Sequence, residues 1–327
     1  RDRSPSRGLG DVYKRQKKEI ALAKRPDYIV PNADGSGYGL FVFDNFDNIP
    51  LPTDDLRRFA LAMNMYENYL AHGIDAKSLS DTMHSWLKAE NNALIASQLV
   101  SYWGGAVSAM PDTDRHFQEQ QMWQEYRNAT IASVKQRLIR QLYNTVSDES
   151  VTDSIYNVWA DKSDPLLSKT DYTQIAYRLA ILKPQQWQEI LQKQRTRLSD
   201  ADEIRQFDFI SRACTPDVDE QQRLFNSLLK AENRRIEPWT ASLLRLLNDR
   251  TREPLNNRYL RPALDALLDV QRTGDIFFPG KWLSALLSGH HSKEARQIVE
   301  TFISQHPDYP DKLMNKIKEL SLIHISE

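Results

Sequence analysis

The sequence predicts a mainly α-helical fold in which helical hairpins stack into a curved superhelix, with a short β-hairpin near the N-terminus. Three observations carry that expectation. From Thr53 onward, apolar residues recur at three- and four-residue spacing, the period of a helix with one buried face. Prolines and Ser/Thr/Asp caps punctuate those stripes, while glycine is scarce, 11 in 327 residues, so turns are few and tight. One stretch alone, Tyr28–Phe43, has strand chemistry.

The elements follow in order. Residues 1–16 (RDRSPSRGLGDVYKRQ) are basic and lack apolar periodicity. They are set aside with 321–327 as non-native scars or disordered tails. Between them the chain divides into 17–50, the end of a β-domain with its linker, and 51–320, a helical solenoid. Tyr28-Ile29-Val30 and Tyr38–Phe43 flank Asn32-Ala33-Asp34-Gly35-Ser36-Gly37, which is dense turn chemistry. Tyr38–Phe43 is apolar on both faces, and such a strand belongs in a buried sheet whose other strands are expected upstream.

Thr53 is placed to cap a first helix with the stripe Leu56, Phe59, Ala60, Met63 and Leu70, ended by Gly73. A helical pattern runs from Ala76 to Ala109, broken near Glu90. Asp114–Tyr143 reads as one long segment, and Val151, Ile155, Val158 and Trp159 mark the next. After Ser168 the rhythm becomes regular. Tyr172–Leu182 pairs with the helix opened by Pro184, and Ser199 is placed to cap a helix paired with one starting at Asp217. Pro238 opens a helix paired with Pro254–Arg272. Pair starts near 168, 200, 238 and 279 recur every 32–41 residues, the range of HEAT- and armadillo-like solenoids. In the last pair, Pro279 precedes Trp282, Leu283, Leu286 and Leu287, and Gly289 is expected in the left-handed position after the helix. Ser292 is the cap of the following helix, and Pro307 and Pro310 start another with Leu313 and Ile317.

Composition excludes several function classes. Formal net charge is -1, from 43 basic and 44 acidic residues, so no bulk field favours nucleic acid or an anionic membrane. The single cysteine, Cys214, excludes an internal disulfide framework and a Cys-based zinc site. It falls on an apolar helix face and reads as packing. No apolar run reaches the roughly 20 residues of a membrane span.

Arg272-Thr273-Gly274-Asp275-Ile276-Phe277-Phe278-Pro279, Trp282-Leu283, Ser292-Lys293-Glu294-Ala295 and Pro307-Asp308-Tyr309-Pro310 together resemble the C-terminal helical domain of bacterial zinc aminopeptidases of the gluzincin (M1) family. Asn32–Tyr38 is similar to a turn near the end of the small β-sandwich that precedes that domain. The resemblance spans Lys24 to Glu319. It implies a C-terminal piece of an enzyme that removes N-terminal residues from peptides. This piece would be the helical lid that shapes peptide access to a catalytic domain outside it. The zinc of such an enzyme, and the Glu-activated water it carries, would belong to that other domain, with no cofactor in this segment.

The residues agree with that division. Two His one helical turn apart with an intervening Glu would be needed for the zinc site. None of the seven His, at 72, 84, 116, 290, 291, 306 and 324, is followed by Glu. Asn64-Met65-Tyr66-Glu67-Asn68 has a passing likeness to the family's G-x-M-E-N strand but lacks the Gly and reads as helix. His290, His291 and Glu294 have ligand spacing, yet a turn followed by a first-turn Glu explains them without a metal. Arginine is the remaining lead. Arg234, Arg235, Arg245, Arg250, Arg252, Arg258 and Arg261 crowd together among acidic neighbours. Family resemblance makes Arg234, Arg258 and Arg261 the candidates for holding a peptide carboxylate, which a guanidinium matches bidentately. The alternative is a stand-alone HEAT-like scaffold binding protein on its concave face. The compartment stays open between cytoplasm and periplasm.

Overall fold

The computed structural model describes residues 21–24, 26–42 and 49–325. Among them are sixteen α-helices and no strand. The expected hairpin is therefore absent over Tyr28–Val42; Phe43 lies outside the described residues. Tyr38, Leu40 and Val42 are exposed instead. A strand pattern without a partner strand has no ladder to join. What closes the turn is local. Asn32 sits in the left-handed region at φ 51, and its Oδ1 accepts from Gly37 N at 2.7 Å.

Helix α1 (Asp55–Leu70) is capped by Asp54, whose side chain accepts from Arg57 N, one residue later than expected. Its buried face is also rotated. Leu56, Phe59 and Leu70 are exposed, while Leu61, Asn64, Met65 and Asn68 are buried. The two asparagines explain the rotation, because they receive the N-terminal coil. Asn64 Nδ2 donates to Pro31 O at 3.1 Å and Asn68 Nδ2 to Phe41 O at 2.8 Å. After α1, His72 rather than Gly73 takes the left-handed position, at φ 61. Gly73 N then reaches Asn68 O at 2.7 Å, closing the carbonyl end of the helix.

Helices α2 (Ala76–Ala89) and α3 (Ala93–Ser108) break at Glu90 as expected. The single segment expected over Asp114–Tyr143 is two helices, α4 (Asp112–Asn128) and α5 (Ala132–Thr145). Ala129 is extended and ends the first ladder, and the β-branched pair Thr130-Ile131 follows. Then come α6 (Glu149–Asp161), α7 (Lys169–Leu182), α8 (Trp187–Arg195) and α9 (Ala201–Ile210). Ser168 and Asp171 form a reciprocal capping box on α7. Asp200, not Ser199, caps α9. A 3₁₀ turn at Ser211–Cys214 leads to α10 (Val218–Leu228), capped by Asp217, and α11 (Glu237–Leu247), with Pro238 in its first turn. Short helices α12 (Leu260–Asp265) and α13 (Leu267–Thr273) precede α14 (Phe278–Leu287), α15 (Lys293–Gln305) and α16 (Asp311–Ile325). The last runs into the residues set aside as a tail, of which 326 and 327 lie outside the described ones.

Gly289 is not left-handed. Its place is fixed by close approach: a Cβ there would stand 1.5 Å from Asn248 O. Only glycine lets the turn after α14 lie against the end of α11.

Two apolar cores result. One collects buried side chains from Ile49 to Cys214, the other from Ala213 to Ile317, and Phe209 and Leu246 pack against both. Trp103, Trp159 and Trp282 are fully buried. Each indole N–H has an acceptor: Gln118 Oε1 at 2.8 Å, Gln194 Oε1 at 3.0 Å and Ala263 O at 3.1 Å. Such large anchors bury most area with least orphaned polarity. Helix α3 packs on α5, α5 on α7, α7 on the 3₁₀ turn, that turn on α11, α11 on α14 and α14 on α16. Each member of this series also packs on a neighbouring helix, as α3 does on α2, α5 on α4 and the turn on α9.

Candidate functional site

Where the two cores meet, the helices of that series leave a concave basin of about 390 Å³. Its walls come from far-apart stretches: Ser101, Gly104, Gly105 and Ser108 of α3; Arg137, Gln141, Asn144 and Thr145 of α5; Arg245 of α11; and Asn248–Arg250 just beyond it. Arg115, Arg178, Ser288, Gly289 and His291 complete it. The four α3 residues share one face at three- and four-residue spacing. Their small size leaves room. A Cβ on Gly104 would meet Gln141 Cδ at 2.1 Å, so the Gln141 side chain lies directly over that glycine.

Five guanidinium groups line the basin, against one carboxylate, Asp249. Arg178 takes that carboxylate, as Nη1 donates to Asp249 Oδ2 and Nε donates to Val146 O at 3.1 Å. This pair ties α7 to the end of α11 across the seam. Arg115 is nine-tenths buried and donates to Asp112 Oδ1 at 2.8 Å and Ser147 Oγ at 2.9 Å. Glu119 stands 3.5 Å from its Nε. Its Nη1 is enclosed and has no hydrogen-bond partner.

The other three have no carboxylate within ion-pair distance among the described residues. Arg137 is exposed and donates to Ser101 Oγ, at 2.9 and 2.6 Å. Arg250 reaches across the seam to Met110 O at 3.1 Å, and its Nη1 is enclosed without a partner. Burial and the nearby Arg115 charge push the Arg250 guanidinium down to about 10. Arg245 makes no hydrogen bond or ion pair with the described residues. Surrounding protein lowers its pKa, yet the residue is exposed. That combination belongs to a side chain standing in a concavity, where neighbours displace water without covering it.

The three arginines singled out in the sequence do not join the basin. Arg234 is buried, with Nη1 donating to Leu228 O and Leu229 O and Nη2 to Asp269 Oδ2 at 2.6 Å. It lies 5.8 Å from the centre of the Trp282 ring. Arg258 donates to Val218 O and to the Tyr259 hydroxyl. Arg261 pairs with Asp265 at 2.9 Å and bonds Gln305. The sequence missed Arg115, Arg137 and Arg178, which lie outside the arginine-dense stretch. One signal was available: α3 is strongly apolar, yet carries Ser101, Gly104, Gly105 and Ser108 on one face.

His290 supports the basin from beneath. Its Nδ1 is 2.9 Å from Asn257 Oδ1 and its Nε2 2.9 Å from Asn248 Oδ1. Burial pushes its pKa down to about 3, against the two amide oxygens that face its ring nitrogens. Glu294 accepts from Asn257 Nδ2 at 2.9 Å, and the Glu253 carboxylate accepts from His291 N and Ser292 N. Among the described residues no group of three or more His, Cys, Asp and Glu is placed to hold a metal ion. Cys214 is buried with its thiol pushed up to about 12 by that burial, which leaves no thiolate at neutral pH.

Two further hollows are less charged. One of about 70 Å³ lies between α7 and α9, and a groove of about 360 Å³ beside α10 is lined by Phe209, Ile236 and Trp239 with Arg212, Arg235 and Glu232. No protein-family model matches the chain, and no curated protein matches it in sequence. Among the described residues no helix is long and apolar enough to cross a membrane.

Proposed function

We propose that the chain is the peptide-receiving helical part of a zinc aminopeptidase of the M1 type, built as HEAT-like stacked hairpins. Its catalytic zinc domain would be a separate part. The observation that carries this reading is the arginine-lined basin, set on one series of packed helices, α3, α5, α7, α11 and α14. The resemblance over Gly274–Pro310 supports it. In this reading α14, whose Trp282 and Leu283 belong to the resembling stretch, carries the turn that closes the basin. Basin arginines hold the carboxyl end of a peptide whose amino end reaches the metal. Arg234, Arg258 and Arg261 then have a structural part, tying together α10, α12, α13 and α15 outside the basin walls.

Two measurements test it. The DNA upstream of the codon for Arg1 is expected to encode H-E-x-x-H and a downstream Glu in frame; a gene that opens just before Lys17 with no protease domain would leave a protein-binding scaffold as the working reading. The chain itself is expected to release no amino acid from peptides when zinc is added. Metal-dependent release by the pure chain would overturn the assignment of chemistry to another domain.

A further inference from the structure

We infer that the basin selects acidic peptides: its ligand is an extended chain bearing several carboxylates, not merely one terminal carboxylate. This rests on the peptide-receiving reading and adds the substrate class. The argument is charge compensation. Arg178 is neutralised by Asp249, and Arg115 by Asp112 and Glu119. Arg137, Arg245 and Arg250 line the same basin and have no carboxylate within ion-pair distance among the described residues. Elsewhere Arg195, Arg223, Arg261 and Arg272 have carboxylates, while Arg197, Arg252 and Arg258 are each bonded to backbone carbonyls; Arg245 has neither among the described residues. Three guanidinium groups without a carboxylate in direct contact, facing one concavity, are costly in like-charge repulsion, which Asp112, Glu119 and Glu253 relieve at a distance for Arg250 alone. An anionic ligand relieves that cost.

The spread of the three decides the ligand's size. They sit on α5, on α11 and in the 3₁₀ turn at Arg250–Arg252, and the basin they line holds about 390 Å³. A lone carboxylate satisfies one guanidinium fork and leaves the others as they were. A chain with carboxylates along its length meets each in turn. The rest of the wall suits a peptide backbone. Asn144 and Gln141 offer both donors and acceptors, and Ser101, Ser108 and Ser288 offer hydroxyls. Arg115 adds a nine-tenths buried guanidinium whose Nη1 is without a partner.

The test uses the full chain and fluorescence anisotropy with three probes at an ionic strength of about 0.15 M, where screening acts beyond roughly 8 Å. The probes are a Glu-rich peptide amidated at its C-terminus, a neutral peptide with a free carboxyl end, and tripolyphosphate as competitor. The amidated Glu-rich peptide is expected to bind more tightly than the neutral free acid. Arg245→Ala is expected to weaken it about tenfold, the loss of one charge-assisted contact. Arg245→Glu is expected to abolish it. Arg245 has no hydrogen-bond or ion-pair partner among the described residues, so neither variant removes a bond that holds them together. Binding that survives Arg245→Glu would place the ligand elsewhere and overturn the inference. Equal or tighter binding of the neutral free acid would also overturn it, while leaving the peptide-receiving reading intact. Tripolyphosphate binding with no peptide binding would sink it as well, and the upstream DNA alone would then judge the wider reading.

Discussion

Two sets of arginines from one stretch of sequence behave oppositely in the fold. Arg234, Arg252 and Arg258 point into the C-terminal half and are spent on carbonyl groups: Arg234 on Leu228 and Leu229, Arg252 on Ala213, Leu246 and Thr215, Arg258 on Val218. Arg245 and Arg250 lie between them in sequence but face the seam, where Arg137 joins them from α5. The first set is held by backbone carbonyls, with Asp269 added for Arg234. In the second, Arg137 bonds Ser101, Arg250 bonds one carbonyl, and Arg245 bonds nothing among the described residues. Local density of a residue type thus says little about a site. What marks the basin is how far the fold's own groups satisfy each guanidinium.

The comparison is broken most directly at Arg234. Its side chain is 2 % exposed and donates to the carbonyls that end α10 and to Asp269. Arg234→Ala orphans those acceptors and leaves a cavity against Trp282. A loss of about 3 kcal/mol is expected, the scale for removing one partner of a buried polar set. Urea denaturation with an unchanged m-value checks it. A shift below about 0.5 kcal/mol would place Arg234 with the basin arginines and restore it as a ligand-facing residue.

Acid sharpens the contrast on the other side of the seam. Asp171 is buried, which by itself would raise its pKa. Hydrogen bonds from Arg140, Ser168 and Tyr143 outweigh burial and hold the carboxyl well below its ordinary value. A carboxyl lowered in the folded state stabilises at every pH above its unfolded pKa, about 3.9, and that contribution is lost as pH falls through and below this value. Stability is therefore expected to drop by about 2 kcal/mol between roughly pH 5 and pH 2 through this group. Asp171→Asn should lower stability at neutral pH and flatten the acid limb. An unchanged acid limb would detach the network from acid unfolding.

Much of the helical order was legible in the sequence, because caps and stops act over a few residues. Ser292 caps the helix expected of it, and α10 starts at Asp217 as its spacing indicates. Errors arose where a distant segment decides. The exposed Leu56 and Phe59 looked like a core stripe, but Asn64 and Asn68 are buried because the N-terminal coil lies on them. Gly289 looked like a left-handed cap, and its real constraint is the Asn248 carbonyl, some forty positions away. The basin was illegible for the same reason. Arg137 and Arg245 are more than a hundred positions apart, and no local pattern says that neither has a carboxylate. The α3 face of Ser101, Gly104, Gly105 and Ser108 was its one local trace.

The smallest expected effect is the most diagnostic. Arg245→Ala removes an exposed side chain with no hydrogen bond or ion pair among the described residues, whose charge the surrounding protein already disfavours. Only its aliphatic stem has anything to lose. Unfolding free energy should change by less than about 0.5 kcal/mol, with a slight gain where relief of repulsion exceeds lost packing. Arg137→Ala should behave alike, less its contact with Ser101. Measured beside Arg234→Ala under one set of conditions, the pair separates two uses of the same side chain. A conserved stability in Arg245→Ala together with a lost acidic ligand means the charge is held for binding. A loss above 1 kcal/mol would mean that Arg245 closes the fold as Arg234 does, and that the basin's surplus charge is an incidental product of packing.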